Sequence, residues 1–171
     1  SELFISEYIE SINNNNAIEI YNPTNSSIDL AGYTINRYSN GASSGPESFQ
    51  LGGTIASGDV IVIGNGQLDS IDLGTYWSLP VDPVFYALLD DHCNGDYDAN
   101  STFYFNGNDA VVLAKGSVND ISNAIIVDVF GKVGEDPVGG WTNIASAGFT
   151  SSGYSWTEDH TLIRKSTVLS G

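Results

Sequence analysis

The nine residues Asp90-Asp91-His92-Cys93-Asn94-Gly95-Asp96-Tyr97-Asp98 are the densest cluster of potentially reactive side chains in this chain of 171. Four carboxylates and an amide share one turn-forming stretch. Like charges at that spacing repel unless water or a cation separates them. Oxygen ligands alternating around a glycine turn are also how Ca²⁺ loops are built. Two readings therefore stand together. One is a solvated acidic loop. The other is a divalent-cation site with Asp91, Asn94, Asp96 and Asp98 as ligands, for which hard oxygen donors select Ca²⁺. The spacing is not that of an EF-hand, because the glycine is misplaced and no glutamate closes the loop. Zinc fits poorly, since His92 and Cys93 are adjacent and two further soft ligands are missing.

Glu7, Glu10 and Glu19 form a second acidic group. A pair of catalytic carboxylates would also need a cleft, a substrate contact and separated pKa values. The alternative is an ion pair with Arg164 or Lys165 near the C-terminus. Positive charge is scarce, so Arg164 is expected to pair with Glu19 or Glu7. Serine nucleophiles are a weak signal: several serines lie near glycines, but neither His92 nor His160 has a motif around it. Trp77, Trp141, Trp156 and nine tyrosines could build a sugar-stacking platform or simply pack in the core and rim. Asn25-Ser26-Ser27 and Asn100-Ser101-Thr102 are formal glycosylation acceptors.

These side chains must be positioned by short β-elements. Ala17 to Tyr21 alternates, with Ile18 and Ile20 on one face. Tyr33 and Ile35 share a face in the next run. Asp59-Val60-Ile61-Val62-Ile63, Ala110 to Leu113 and Ile125 to Phe130 are nearly continuous apolar runs, too short for helices and fitting for sandwich-core strands. Asn-Gly occurs at Asn40, Asn65, Asn94 and Asn106, each a turn candidate. The last of these, running into Ala110-Val111-Val112-Leu113, reads as a hairpin. Ser39 to Pro46 and Gly148 to Ser155 read as Gly/Ser-rich loops. The best short-helix candidate is Gln67 to Leu73. No linker separates two cores, so residues 1–171 read as one domain.

Composition narrows the function classes. With 21 acidic and 5 basic residues the formal charge is −16. That field opposes approach to nucleic-acid phosphates and anionic membranes and favours counter-cations. The single cysteine, Cys93, excludes an internal disulfide. A chain of this length should bury roughly 70% of its unfolded surface and needs no covalent staple. No apolar run approaches the roughly 18 residues of a spanning helix. The start at Ser1-Glu2 and the absence of Met suggest a piece excised from a longer protein.

Three blocks carry a family resemblance. The first is Leu3-Phe4-Ile5-Ser6-Glu7-Tyr8-Ile9-Glu10 with Ala17-Ile18-Glu19-Ile20-Tyr21-Asn22-Pro23 and Ile28-Asp29-Leu30-Ala31-Gly32-Tyr33. The second is Phe105-Asn106-Gly107-Asn108-Asp109-Ala110-Val111-Val112-Leu113. The third is Ile126-Val127-Asp128-Val129-Phe130-Gly131 with Trp141 and Thr161-Leu162-Ile163-Arg164-Lys165. In this order they resemble the lamin tail domain family in its bacterial secreted form. The resemblance implies an all-β, immunoglobulin-like β-sandwich with no catalytic residues of its own. It also implies an accessory or interaction module of a secreted or cell-surface protein, in the company of extracellular nucleases or other hydrolases. The alternative is a carbohydrate- or surface-binding module, stabilised by Ca²⁺ if the acidic loop binds it. The partner is then a protein or a surface glycan, with no direct nucleic-acid binding and no membrane insertion. The stretch from Gly64 to Ser101 departs from the family as a long loop insertion. The expected core is Ile18, Ile20, Tyr33, Ile35, Val60, Val62, Val111, Leu113, Val127, Val129 and Leu162.

Overall fold

A computed structural model describes residues 2–142 and 155–171. Most of the expected Gly148–Ser155 loop lies outside the described residues. Among the described residues the chain is built of short strands. The first sheet uses β1 (Phe4–Ile9), β2 (Ala17–Tyr21), β7 (Val60–Gly64), β10 (Asp91–His92) and β13 (Thr161–Ile163) in the order β10-β7-β2-β1-β13. The second uses β4 (Tyr33–Tyr38), β5 (Glu47–Gln50), β11 (Ala110–Lys115) and β12 (Ile125–Phe130) in the order β12-β11-β4-β5. All pairings are antiparallel except β10 on β7. Minor ribbons join β3 (Ile28–Asp29) to β6 (Thr54–Ile55), and β8 (Ile71–Asp72) to β9 (Trp77–Ser78).

The core lies between the two sheets. Ile18, Ile20 and Ile63 come from one sheet, and Tyr33, Ile35, Val111 and Leu113 from the other, all buried. Phe103 and Phe105 fill the space beside them. The ladder slips by one residue between Ile5 and Glu7, a bulge that turns Ile5 and Tyr8 to the same side although they are three apart. Tyr8 then stacks on Phe130 with centroids 4.0 Å apart and meets Phe105 at a tilt, 5.0 Å away.

Two of the expected core residues are exposed. Val60 is 40% exposed and Val129 41%. In β7 it is Ile61 and Ile63 that face inward. A continuous apolar run carries no phase, and shifting the phase by one residue exchanges its two faces. In β12 a slip against β11 between Leu113 and Ala114 resets the alternation. Asp128 is buried there, Val129 turns out, and Val127 and Phe130 pack against the core. Val62 and Leu162 are half-buried.

The ion pair of the last strand also differs from the expectation. Arg164 does not pair with Glu19 or Glu7; its Nη2 donates to Asp128 at 2.7 Å. The same carboxylate oxygen accepts the Ile5 N–H at 2.8 Å, while Arg164 Nε donates to the Ile5 carbonyl at 2.8 Å. The two side chains thus satisfy both polar groups of Ile5 where the β1 bulge interrupts the ladder. The inward turn of Asp128 at the β12 bulge makes this reach possible. Glu19 instead accepts from Ser6 Oγ at 2.7 Å and faces Glu7 across the ladder. Burial and the Glu19 charge both raise the Glu7 carboxyl above its ordinary range.

The long excursion after β7 holds structure of its own. No helix forms over Gln67–Leu73; Gln67 is fully buried and its amide bridges to Asp69 and Ser78. One helical turn forms later, α1 (Pro83–Tyr86), capped by Asp82 accepting from Val84 N–H at 2.7 Å and opened by a proline, whose missing N–H costs nothing there. The Asn106-Gly107 pair is not a hairpin turn. β11 pairs with β4 and β12, and Gly107 at φ +89° lies flat against the backbone of Glu158. Of the four Asn-Gly pairs, only Asn40-Gly41 has both residues at positive φ.

Candidate functional site

Three inward-facing rows of the sandwich end in charge at the same place. In β1 the row through Tyr8 continues to Glu10. In β4 the row Tyr33, Ile35 continues to Arg37. In β11 the row Val111, Leu113 runs back to Asp109. The period of two along each strand forces these side chains onto the core side. Glu10, Arg37 and Asp109 are 8%, 6% and 3% exposed. Together they line a cleft of about 390 Å³ at that end of the sandwich.

Each acid is engaged by the protein. Glu10 accepts a short hydrogen bond from the Asp159 N–H. Burial, helped by the charges of Asp159 and Glu158, pushes its carboxyl up from 4.5 to about 7, against the Asp159 hydrogen bond and the His160 charge. Asp109 accepts from Asn40 N–H at 3.0 Å and lies 3.6 Å from Arg37 Nε. Burial nonetheless outweighs Arg37, and the Asp109 carboxyl sits above its ordinary range. Burial raises the Tyr8 hydroxyl well above its usual range, and the charges of Glu10 and Asp109 raise it further.

Arg37 is under-used. Its Nη2 reaches Ser101 Oγ at 3.4 Å. Its Nε is buried without a hydrogen-bond partner, and among the described residues Nη1 has none either. A guanidinium carries five donors, and burying one unpaired costs stability.

The opposite wall comes from the excursion. The β8–β9 ribbon presents Tyr76 and Trp77 on the cleft rim, 58% and 61% exposed. An amide network fixes this ribbon to the β1–β2 turn. Asn14 donates to Ser78 Oγ at 2.9 Å and to the Leu79 carbonyl at 2.7 Å. Gln67 accepts from Ser78 Oγ at 2.9 Å and donates to the Ser78 carbonyl at 2.8 Å. Tyr104 donates to Gln67 at 3.0 Å, and its ring meets Tyr97 edge-on at 5.1 Å. Asn13 and Asn14, both at φ +57°, make the turn that brings Asn14 there. Asn and Gly tolerate that region best.

The acidic cluster of the excursion is placed elsewhere. Asp91 opens β10 and accepts its neighbour's N–H at 2.8 Å, and Asp96 accepts from Asp98 N–H at 3.0 Å. Asp90 accepts from Val62 N–H at 2.8 Å, on the sheet edge. Asn94 and Asp98 are exposed. Among the described residues no three His, Cys, Asp or Glu side chains converge closely enough to hold a metal. Cys93 is buried in the core as a free thiol, and His92 bonds to Tyr86 Oη at 2.7 Å. Gly41-Ala42-Ser43-Ser44-Gly45 has the letters of a nucleophile elbow. It lies in the loop between antiparallel β4 and β5 and does not join a strand to a helix, the geometry such an elbow needs.

Arg37, Asp109 and Asp128 are the functional or structural charges that sequence reading passed over. The signal for the first two was present: each continues an alternating apolar row by one step. Glu10, grouped in the sequence with Glu7 and Glu19, belongs with them instead.

The sequence model of the lamin tail domain matches residues 1–132. No curated protein matches the chain.

Proposed function

The chain belongs to the lamin tail domain family, and from that premise we propose that it is a non-catalytic recognition module of a secreted or cell-surface protein, working beside a catalytic domain such as an extracellular nuclease or other hydrolase. One observation carries this reading. The cleft that gathers Glu10, Arg37 and Asp109 uses its acids as wall anchors: Glu10 holds the Asp159 backbone, and Asp109 holds Asn40 and faces Arg37. Among the described residues its lining has carboxylates, a guanidinium, serine hydroxyls, amides and rings but neither histidine nor cysteine. Such an arrangement can grip a ligand, and among the described residues no lining serine hydroxyl is hydrogen-bonded to a base: Ser78 Oγ meets only the Asn14 and Gln67 amides. The charge of −16 supports the same division of labour, since a module so acidic leaves phosphate handling to its neighbour.

The test removes the module from its parent. Deleting residues 1–171 from the full-length protein should leave turnover of a small soluble substrate unchanged and slow turnover of surface-borne material. The purified chain should turn over no p-nitrophenyl ester, phosphate or glycoside above the buffer rate. Loss of soluble-substrate turnover on deletion, or turnover by the isolated chain, would refute the reading.

A further inference from the structure

We propose that the cleft at the Glu10–Arg37–Asp109 end of the sandwich is a binding site for neutral pyranose polymers, with Trp77 as the stacking platform. This names the ligand class of the recognition module proposed above, and so rests on that reading.

Trp77 and its neighbour Tyr76 stand more than half exposed on the rim. Among the described residues no ring or hydrogen bond holds the Trp77 indole. A flat, apolar ring beside polar groups suits the C–H face of a pyranose, as amphipathic aromatics suit surfaces that are half apolar. The platform is held rigid. Ser78, next in the chain, is buried and clamped by Gln67 and Asn14, so little ordering remains to oppose binding.

The floor supplies hydroxyl partners. Among the described residues Arg37 Nη1 makes no hydrogen bond, and Asp109 beside it is an acceptor. Among the described residues the Asn13 and Asn106 amides on the cleft lining make no side-chain hydrogen bond; an amide both donates and accepts, as a sugar hydroxyl requires. The volume, about 390 Å³, falls within the range of small-ligand clefts. Charge selects within the class. Glu10, Asp109 and Asp159 line the site on a chain of net charge −16, so uronate, sulfate and phosphate groups are repelled.

Affinity electrophoresis and calorimetry with the full chain test the proposal. The probes are hydroxyethylcellulose, laminarin, xylan, galactomannan and soluble starch, with polygalacturonate as the charged comparison. At least one neutral polymer should retard the protein and polygalacturonate should not. Trp77→Ala should weaken binding at least about tenfold while melting within about 2 °C of the parent. Trp156→Ala, a similarly exposed tryptophan outside the cleft, should bind like the parent chain. Retardation by none of the neutral polymers, retardation by polygalacturonate, or unchanged binding by Trp77→Ala would each overturn the proposal. The deletion experiment on the parent reads separately. A module that binds no glycan but still promotes surface turnover sinks only the ligand class. One that binds glycan while its deletion abolishes soluble turnover sinks only the accessory role.

Discussion

Replacing Glu10 by glutamine should change how stability depends on pH more than any other single charge removal at the cleft. Burial raises the Glu10 carboxyl from 4.5 to about 7 in the folded chain. Between those values the folded chain keeps a proton that the unfolded chain has released. Low pH therefore favours folding through this group: the contribution is complete below about 4.5 and lost as pH rises through about 7. The gap corresponds to about 3 kcal/mol at roughly 1.36 kcal/mol per pH unit. Glu10 lies at the mouth of an open cleft, so solvent screening makes this an upper bound. Glutamine keeps an oxygen that can accept the Asp159 N–H and removes the buried charge. At pH 8 the Glu10→Gln chain should be more stable than the parent by up to about 3 kcal/mol, or roughly 6–12 °C in melting temperature for a domain this size. Near pH 4.5 the two should coincide within about 0.5 kcal/mol. Glu7 and Asp109 are raised too, and they cancel when the two urea-denaturation profiles are subtracted. A difference that stays constant from pH 4.5 to 8 would refute the reasoning.

Further outcomes follow from the packing and the charge. In a double-mutant cycle Asp128→Ala and Arg164→Ala should couple by about 1.5–3 kcal/mol, the scale of a charge-assisted hydrogen bond; additive losses in urea denaturation would show that they do not act together. Val111→Asp should abolish folding, since Val111 is fully buried. Val129→Asp should cost no more than about 1 kcal/mol, and circular dichroism melts of the two proteins distinguish them. Gly107→Ala should destabilise by about 2–4 kcal/mol, because a Cβ there meets the Glu158 backbone at 2.8 Å in a left-handed conformation; a melting temperature equal to the parent's would contradict the placement of that turn. Finally, the full chain at low micromolar concentration should not shift duplex or single-stranded DNA in 0.15 M salt, as its charge opposes phosphate, and a mobility shift would overturn this.

The amino-acid sequence by itself determined the class of fold. Alternation at Ile18 and Ile20, and at Tyr33 and Ile35, specifies strands with one buried face, and these side chains are buried. The blocks Leu3–Tyr33, Phe105–Leu113 and Ile126–Gly131, with Trp141 and Thr161–Lys165 beyond them, carried the resemblance, and the family match covers residues 1–132. Tertiary structure decided what local pattern leaves open. The run Val60–Ile63 is apolar on both faces and Ile125–Phe130 is so except for Asp128, so their phase was set by the neighbouring strand and, in β12, by a bulge. That bulge turned Asp128 inward and made it, not Glu19 or Glu7, the partner of Arg164. The cleft was illegible for a related reason. Glu10, Arg37, Asp109 and Trp77 are far apart in the chain, and only the pairing of β4 with β11 and the clamping of the β8–β9 ribbon by Asn14 and Gln67 bring them to one end of the sandwich. Local periodicity encodes which face a residue takes; which faces meet is a property of long-range strand pairing.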